Sequence, residues 1–171
     1  EALEGVDVLV DYTAVDVVKA NTLAAVEAGV GVVIGTSGLT AADFDAVFEA
    51  FTAAFSDYVV PLKLTPEQLA EMLRRRGWVP EVSVGAFEDE RMVAFTLNAV
   101  EGDRAYDTGT GVVPTHRRRG LARALMLQSF ELLRGKTYVL EVIDSNVKAS
   151  ELYRSLGFRE TRGLQCWRYE P

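Results

Sequence analysis

A chain of 171 residues has room for one compact domain, or for one domain with a short appendage, and two full domains would be cramped. Its 49% hydrophobic and 25% charged residues are ordinary globular material, no apolar run reaches the roughly 18–20 residues that span a bilayer, and the single cysteine, Cys166, excludes an intramolecular disulfide. The formal net charge of −7 lies wholly in residues 1–47, with eight acids against one lysine, while the remainder carries seventeen charges of each sign. The only basic clusters, Arg74–Arg76 and Arg117–Arg119, fall short of the basic face a nucleic-acid binder presents. No signal-peptide pattern opens the chain, so the reading is a cytoplasmic protein with neither membrane nor nucleic acid as partner. Glutamate in place of an initial methionine points to a fragment or an artificial junction.

Val6 to Tyr12 reads as a strand and Asp16 to Ala28 as a helix, with Val17, Ala20, Ala24 and Ala28 on one face and Gly29 as its stop. Val30 to Ile34 is a second strand, completing a βαβ unit whose crossover predicts a parallel, right-handed pair. No Gly/Ser or Pro-rich linker follows. Thr40 is an N-cap with Asp43 three residues on, opening a helix over 41–55 whose stripe of Phe44, Val47, Phe48, Phe51 and Phe55 predicts core. Thr65-Pro66 opens a helix to about Arg76, stopped by Gly77, with Leu69, Met72 and Leu73 on its apolar face. A three-strand meander follows: Glu81 to Phe87, Arg91 to Val100, and Arg104 to Val113. A helix from about Arg119 to Arg134 ends at Gly135; then come a strand over Thr137 to Ile143, a helix over Asn146 to Leu156, and a closing hairpin of Phe158 to Arg162 with Cys166 to Tyr169.

The run Gly109 to Ala122, G-T-G-V-V-P-T-H-R-R-R-G-L-A, joins a strand to a helix through a short basic loop. The first N–H groups of a helix lack intrahelical partners and sit at the positive end of its dipole, so such a junction suits a phosphate. The spacing Arg117-x-x-Gly120-x-Ala122 resembles the R/Q-x-x-G-x-G/A signature of the GNAT superfamily of acetyl-CoA-dependent N-acetyltransferases. The run N-x-x-A-x-x-L-Y-x-x-x-G-F from Asn146 to Phe158 resembles the second cofactor motif of that family.

The resemblance implies an α/β fold for about residues 30–171, an α+β sandwich whose mixed, mostly antiparallel sheet is flanked by helices, with residues 1–29 as an added βα extension at the sheet edge. It implies acetyl transfer from acetyl-CoA, as co-substrate, to a primary amine on a small molecule or peptide. Backbone groups of Arg117, Arg118, Arg119, Gly120, Leu121 and Ala122 would bind the pyrophosphate, with Arg118 and His116 free to vary. Val112 and Val113 would pair with the pantetheine arm, the Val112 N–H also facing the acetyl carbonyl. Asn146 would touch the cofactor and Tyr153 would protonate the departing thiolate; Tyr153 also fits a core residue with a wet tip. Glu141 is the candidate base, with Asp107 behind it. Gly109 and Gly111 mark a bulge or close approach, or simply ease sheet twist. One histidine and one cysteine make no metal site. A non-catalytic acyl-CoA-binding module and an inert chimera remain as alternatives, and a homodimer is compatible with the chain.

The words D-V-L-V-D-Y-T-A, V-V-K-A-N-T-L-A-A-V-E-A-G-V and V-V-I-G-T-S-G-L-T, within about residues 5–45, resemble part of the nucleotide-binding domain of 4-hydroxy-tetrahydrodipicolinate reductase. No G-x-G-x-x-G turn precedes Val6, and His116 is the only histidine, so the machinery of that reductase is missing. The expected role of the segment is to supply the first strand of an acetyltransferase sheet.

Overall fold

The computed structural model describes residues 8–11, 31–37, 39–60, 62–165 and 167, the first two stretches as backbone alone. It forms two units, Glu1–Leu140 and Glu141–Pro171. The first is built on a six-stranded sheet whose spatial order follows the chain: β1 (Val8–Asp11), β2 (Gly31–Ser37), β3 (Val84–Glu88), β4 (Arg91–Glu101), β5 (Arg104–Val112) and β6 (Thr137–Val139). β1 pairs parallel with β2, the four strands β2 to β5 are antiparallel, and β6 pairs parallel with β5. The expected parallel pair is therefore present, with β1 at the sheet edge; the helix expected over Asp16 to Ala28 lies outside the described residues.

Local chemistry sets the helix starts. Asp43 accepts hydrogen bonds from the Thr40 N–H (2.7 Å) and hydroxyl (2.8 Å), closing a 3-10 turn, Ala41–Asp43, ahead of α1 (Phe44–Ala54). The Thr65 hydroxyl accepts from the Gln68 N–H and the Gln68 side chain accepts from the Thr65 N–H, so a full capping box starts α2 (Pro66–Arg75), with Pro66 in the first turn where its missing N–H is no loss. α2 is capped at its C-terminus by Arg76, followed by left-handed Gly77.

The phenylalanine stripe of α1 is core: Val47 and Phe51 are buried, and Phe51 stacks on Phe95 of β4 at 5.9 Å between ring centroids. Each such ring, removed from water, contributes about 1.5–3 kcal/mol. Ala94, next along β4, joins a separate cluster with Val84, Ala86, Leu121 and Leu125, the last two from α3 (Leu121–Leu132). Successive strand residues face opposite sides, so β4 divides the two cores between α1 and α3.

Three expectations are corrected. The strand expected from Glu81 begins at Val84, because Pro80, which has no N–H for a ladder, opens a 3-10 turn over Pro80–Val82. The strand expected to reach Ile143 stops at Val139, where its pairing with β5 ends. In the second unit, α4 (Val147–Ser155) forms as expected, but no strand follows among the described residues: Arg159 to Gln165 are all exposed and offer no apolar face to bury. The rest of the expected hairpin, apart from Trp167, lies outside the described residues. No helix among the described residues is long and apolar enough to cross a membrane.

Candidate functional site

β5 has one closed edge and one that opens. It pairs with β4 along its length, whereas β6 pairs only with Arg104, Ala105 and Tyr106. Beyond Tyr106 the outer edge of β5 has no strand partner among the described residues. A bulge lies at this divergence: Leu97 faces Gly109 and Asn98 faces Asp107, leaving Thr108 as the extra residue.

Side chains hold the bulge. Asp107 accepts from the Gly109 N–H and the Thr110 hydroxyl, both at 2.8 Å. The Thr108 hydroxyl donates to the Leu97 carbonyl (3.0 Å), and Arg76 donates to the Thr108 carbonyl (2.7 Å). Both Asp107 oxygens are thus engaged by its own strand.

Burial pushes the Asp107 carboxyl up to about 6, against the lowering effects of Thr110, Gly109 and Arg76. The unfolded group titrates near 3.8, so between these values the fold holds the extra proton. Stability from this group is greatest below about pH 4 and declines as pH rises to about 6, by on the order of 3 kcal/mol. Urea denaturation is expected to show that decline, and Asp107→Asn to abolish it; equal pH slopes in the two proteins would refute the assignment.

Past the bulge, Gly111 is required by packing: a Cβ there would lie 2.6 Å from Cζ of Phe95 and 2.9 Å from Cβ of Ala54. Gly109 is under no such constraint, its nearest neighbour being Phe51 at 3.8 Å. The Val113 N–H bonds to the Val93 carbonyl (2.9 Å), and the Val113 carbonyl accepts from the His116 N–H (2.8 Å). The Val113 N–H is therefore not available as a donor to a pantetheine arm. Alternation along the strand turns the Val112 N–H away from β4, toward the open edge.

The chain then passes through a 3-10 turn, Pro114–His116, into Arg118 and Gly120, both left-handed (φ 68° and 80°), and α3 starts at Leu121. The first bond of α3 runs from the Ala124 N–H to the Gly120 carbonyl. Among the described residues, the N–H groups of Arg118, Arg119, Gly120, Leu121 and Ala122 meet no protein acceptor. This leaves a row of donors at the positive end of a helix.

The basic side chains beside these donors are largely committed elsewhere. Arg117 donates to both oxygens of Asp57 (2.6 and 2.7 Å), to the Ala54 carbonyl at the end of α1 (2.9 Å) and to the Val112 carbonyl (3.1 Å). Its hydrogen bond holds the Asp57 carboxyl below its ordinary range, and Asp57 in turn raises Arg117. Arg117 is thus a strut between the loop, β5 and α1. Glu88 bonds His116 (2.8 Å) and Arg119 (3.3 Å), so His116 anchors the loop and is not freely variable as expected. Arg118 has no ion-pair partner among the described residues. Sequence reasoning missed Asp57, Glu88 and Arg76, since no spacing rule links residues so far apart in the chain.

The second unit carries Glu141, Asn146 and Tyr153. Asn146 caps α4, its Oδ1 accepting from the Ala149 N–H at 3.3 Å. Tyr153 is half-buried, edge-on to Phe158 with centroids 5.7 Å apart. Glu141 is exposed, 4.0 Å from Arg162. Among the described residues no group of His, Cys, Asp or Glu could hold a metal ion.

The profile of the acetyltransferase (GNAT) family matches residues 44–158, from α1 through the donor row to Phe158. The chain belongs to the GNAT acetyltransferase family. A second profile, the N-terminus of dihydrodipicolinate reductase, matches residues 1–59. β2 thus lies within the reductase-like match and outside the acetyltransferase match, and it pairs antiparallel with β3, which lies inside the latter. The ribosomal protein bS18 alanine N-acetyltransferase of Salmonella typhimurium is 41% identical over 75 residues, 42% of this chain and 51% of that protein. The chain spans about half the length of the curated relatives it matches. The solved ribosomal-protein-S18-alanine N-acetyltransferase of Escherichia coli superposes with a TM-score of 0.62 at 29% identity, over 75% of this GNAT chain and 79% of its own. The PaiA N-acetyltransferase of Thermoplasma acidophilum, solved in complex with coenzyme A, shares the fold at a TM-score of 0.58 and 16% identity, over 74% and 89% of the two chains.

Proposed function

We propose that this GNAT chain transfers an acetyl group from acetyl-CoA to a primary amine by direct attack in a ternary complex. The observation that carries this reading is the juxtaposition of an open β5 edge with the row of unfilled N–H groups from Arg118 to Ala122. The donor row suits a pyrophosphate, and the Val112 N–H suits the thioester carbonyl, whose developing negative charge it would stabilise. In the transfer, the amine nitrogen bonds the carbonyl carbon, the carbon–sulfur bond breaks, one proton leaves the nitrogen and one reaches the thiolate.

Glu141 takes the first proton, directly or through water, and Tyr153 gives the second. A phenol, with an ordinary pKa of about 10, is protonated at neutral pH and can donate to a thiolate of similar basicity. The names of the relatives make the N-terminal amine of an alanine-starting peptide the first acceptor to try.

Calorimetry with acetyl-CoA is expected to give micromolar binding, and thiol release across a panel of amines, that peptide included, to give turnover. No heat would exclude the cofactor reading; heat without thiol release would leave a binding module. Tyr153→Phe is expected to lower kcat about 100-fold with acetyl-CoA binding unchanged. Equal losses in binding and turnover would instead make Tyr153 a packing residue.

A further inference from the structure

We propose that Asp107 is a positioning residue: with Arg76 it locks the bulge at Thr108 and so sets the direction in which the open edge of β5, including the Val112 N–H, meets the acyl donor. The inference rests on the acetyl-CoA reading above and adds a residue to it.

A regular ladder would have the Gly109 N–H bond to the Leu97 carbonyl across from it. That carbonyl also accepts from the Thr108 hydroxyl, and the Gly109 N–H also bonds Asp107. A side chain two residues back thus adds its own bond at the point of the register shift, and the extra residue, Thr108, turns its carbonyl to Arg76. The two anchors grip adjacent residues, and they do so immediately after Tyr106, where β6 leaves β5. Without them the bulge could slide along β5, and a one-residue slip would exchange the inward and outward N–H groups at Val112 and Val113. The Asp107 carboxylate would then govern which backbone donor faces the open edge, while remaining out of reach of the reacting atoms.

The surroundings fit a fixed anion more than a reactive one. β4 brings Thr96 to the Thr110 hydroxyl (3.2 Å), α3 brings the Met126 sulfur to it (3.8 Å), and Tyr138 of β6 turns its hydroxyl to Asn98 (2.6 Å). Arg76, beyond the end of α2, is the charged group that acts on Asp107. Burial holds the carboxyl near 6, so its ionised form prevails at neutral pH and its hydrogen bonds are charge-assisted.

The test uses the full chain with Asp107→Ala and Asp107→Asn. Amide resonances of Gly109 and Thr110 are expected to titrate together near pH 6 in the unmodified protein and to be flat in Asp107→Asn. Calorimetry at pH 7 is expected to show acetyl-CoA binding weakened about tenfold in Asp107→Ala and restored to within about threefold of the parent in Asp107→Asn, whose amide oxygen can still accept from Gly109. Asparagine also serves as the foldable variant if alanine does not fold. A parent that binds acetyl-CoA alongside variants that bind equally well, or a Gly109 titration that persists in Asp107→Asn, overturns the positioning role alone. A parent that gives no heat overturns the cofactor reading and this role with it.

Discussion

Gly120→Glu will lower acetyl-CoA affinity more than 100-fold by calorimetry while the protein stays folded. Gly120 sits at φ 80° just before α3, and a Cβ there would meet nothing within 4 Å, so the added side chain has space and the backbone alone is strained. That strain costs about 1–2 kcal/mol, a fall in thermal midpoint of roughly 2–8 °C for a chain of this size. The effect on binding has a separate origin. A carboxylate at a helix N-terminus is itself a favoured tenant of the donor row, so it would occupy the N–H groups of Leu121 and Ala122 and repel an incoming pyrophosphate. Gly120→Ala separates the two effects, since it carries the same backbone strain without the charge and is expected to bind within about tenfold of the parent. If the glutamate variant binds acetyl-CoA within threefold of the alanine variant, the donor row is not the pyrophosphate site.

Gly111→Val is the substitution expected to damage stability most, by about 3 kcal/mol, or roughly 6–12 °C in thermal midpoint. The new side chain would begin 2.6 Å from a carbon of Phe95, which is fully buried against α1, and 2.9 Å from Ala54. Neither neighbour can yield cheaply: Phe95 is held by Phe51 and Phe55, and Ala54 is the last residue of α1. Moving α1 would also strain the Arg117 bond to the Ala54 carbonyl, so the lesion reaches the loop before α3. Gly109→Ala is the control, because its nearest neighbour is 3.8 Å away. A thermal midpoint for Gly111→Val within 2 °C of the parent would contradict this account of why the strand carries glycine there.

Much of this protein is determined by its sequence alone, because the interactions concerned are local. The capping residues Thr40 and Thr65, the stop at Gly77, the phenylalanine stripe of α1 and the strand-to-helix run ending at Ala122 depend on neighbours within one or two helical turns, so residue order suffices to predict them. The donor row is legible for the same reason, since a helix N-terminus leaves its N–H groups unfilled whatever surrounds it.

What only the tertiary structure decided is what each exposed-looking group actually touches. The Arg117 side chain reads as one more charge of a basic loop until Asp57, sixty residues earlier, takes both its terminal nitrogens. Asp107 reads only as a strand carboxylate until the bulge binds it to Gly109 and Thr110, and Gly111 reads as a bulge, a close approach or an easing of twist until Phe95 and Ala54 are found against it. Val113 reads as a partner for the pantetheine arm until strand pairing gives its N–H to Val93. For Arg117, Gly111 and Val113 the deciding partner is remote in sequence and is delivered by sheet register or by helix packing, and for Asp107 it is the register shift at Thr108 that decides which near neighbours it meets; residue spacing encodes neither.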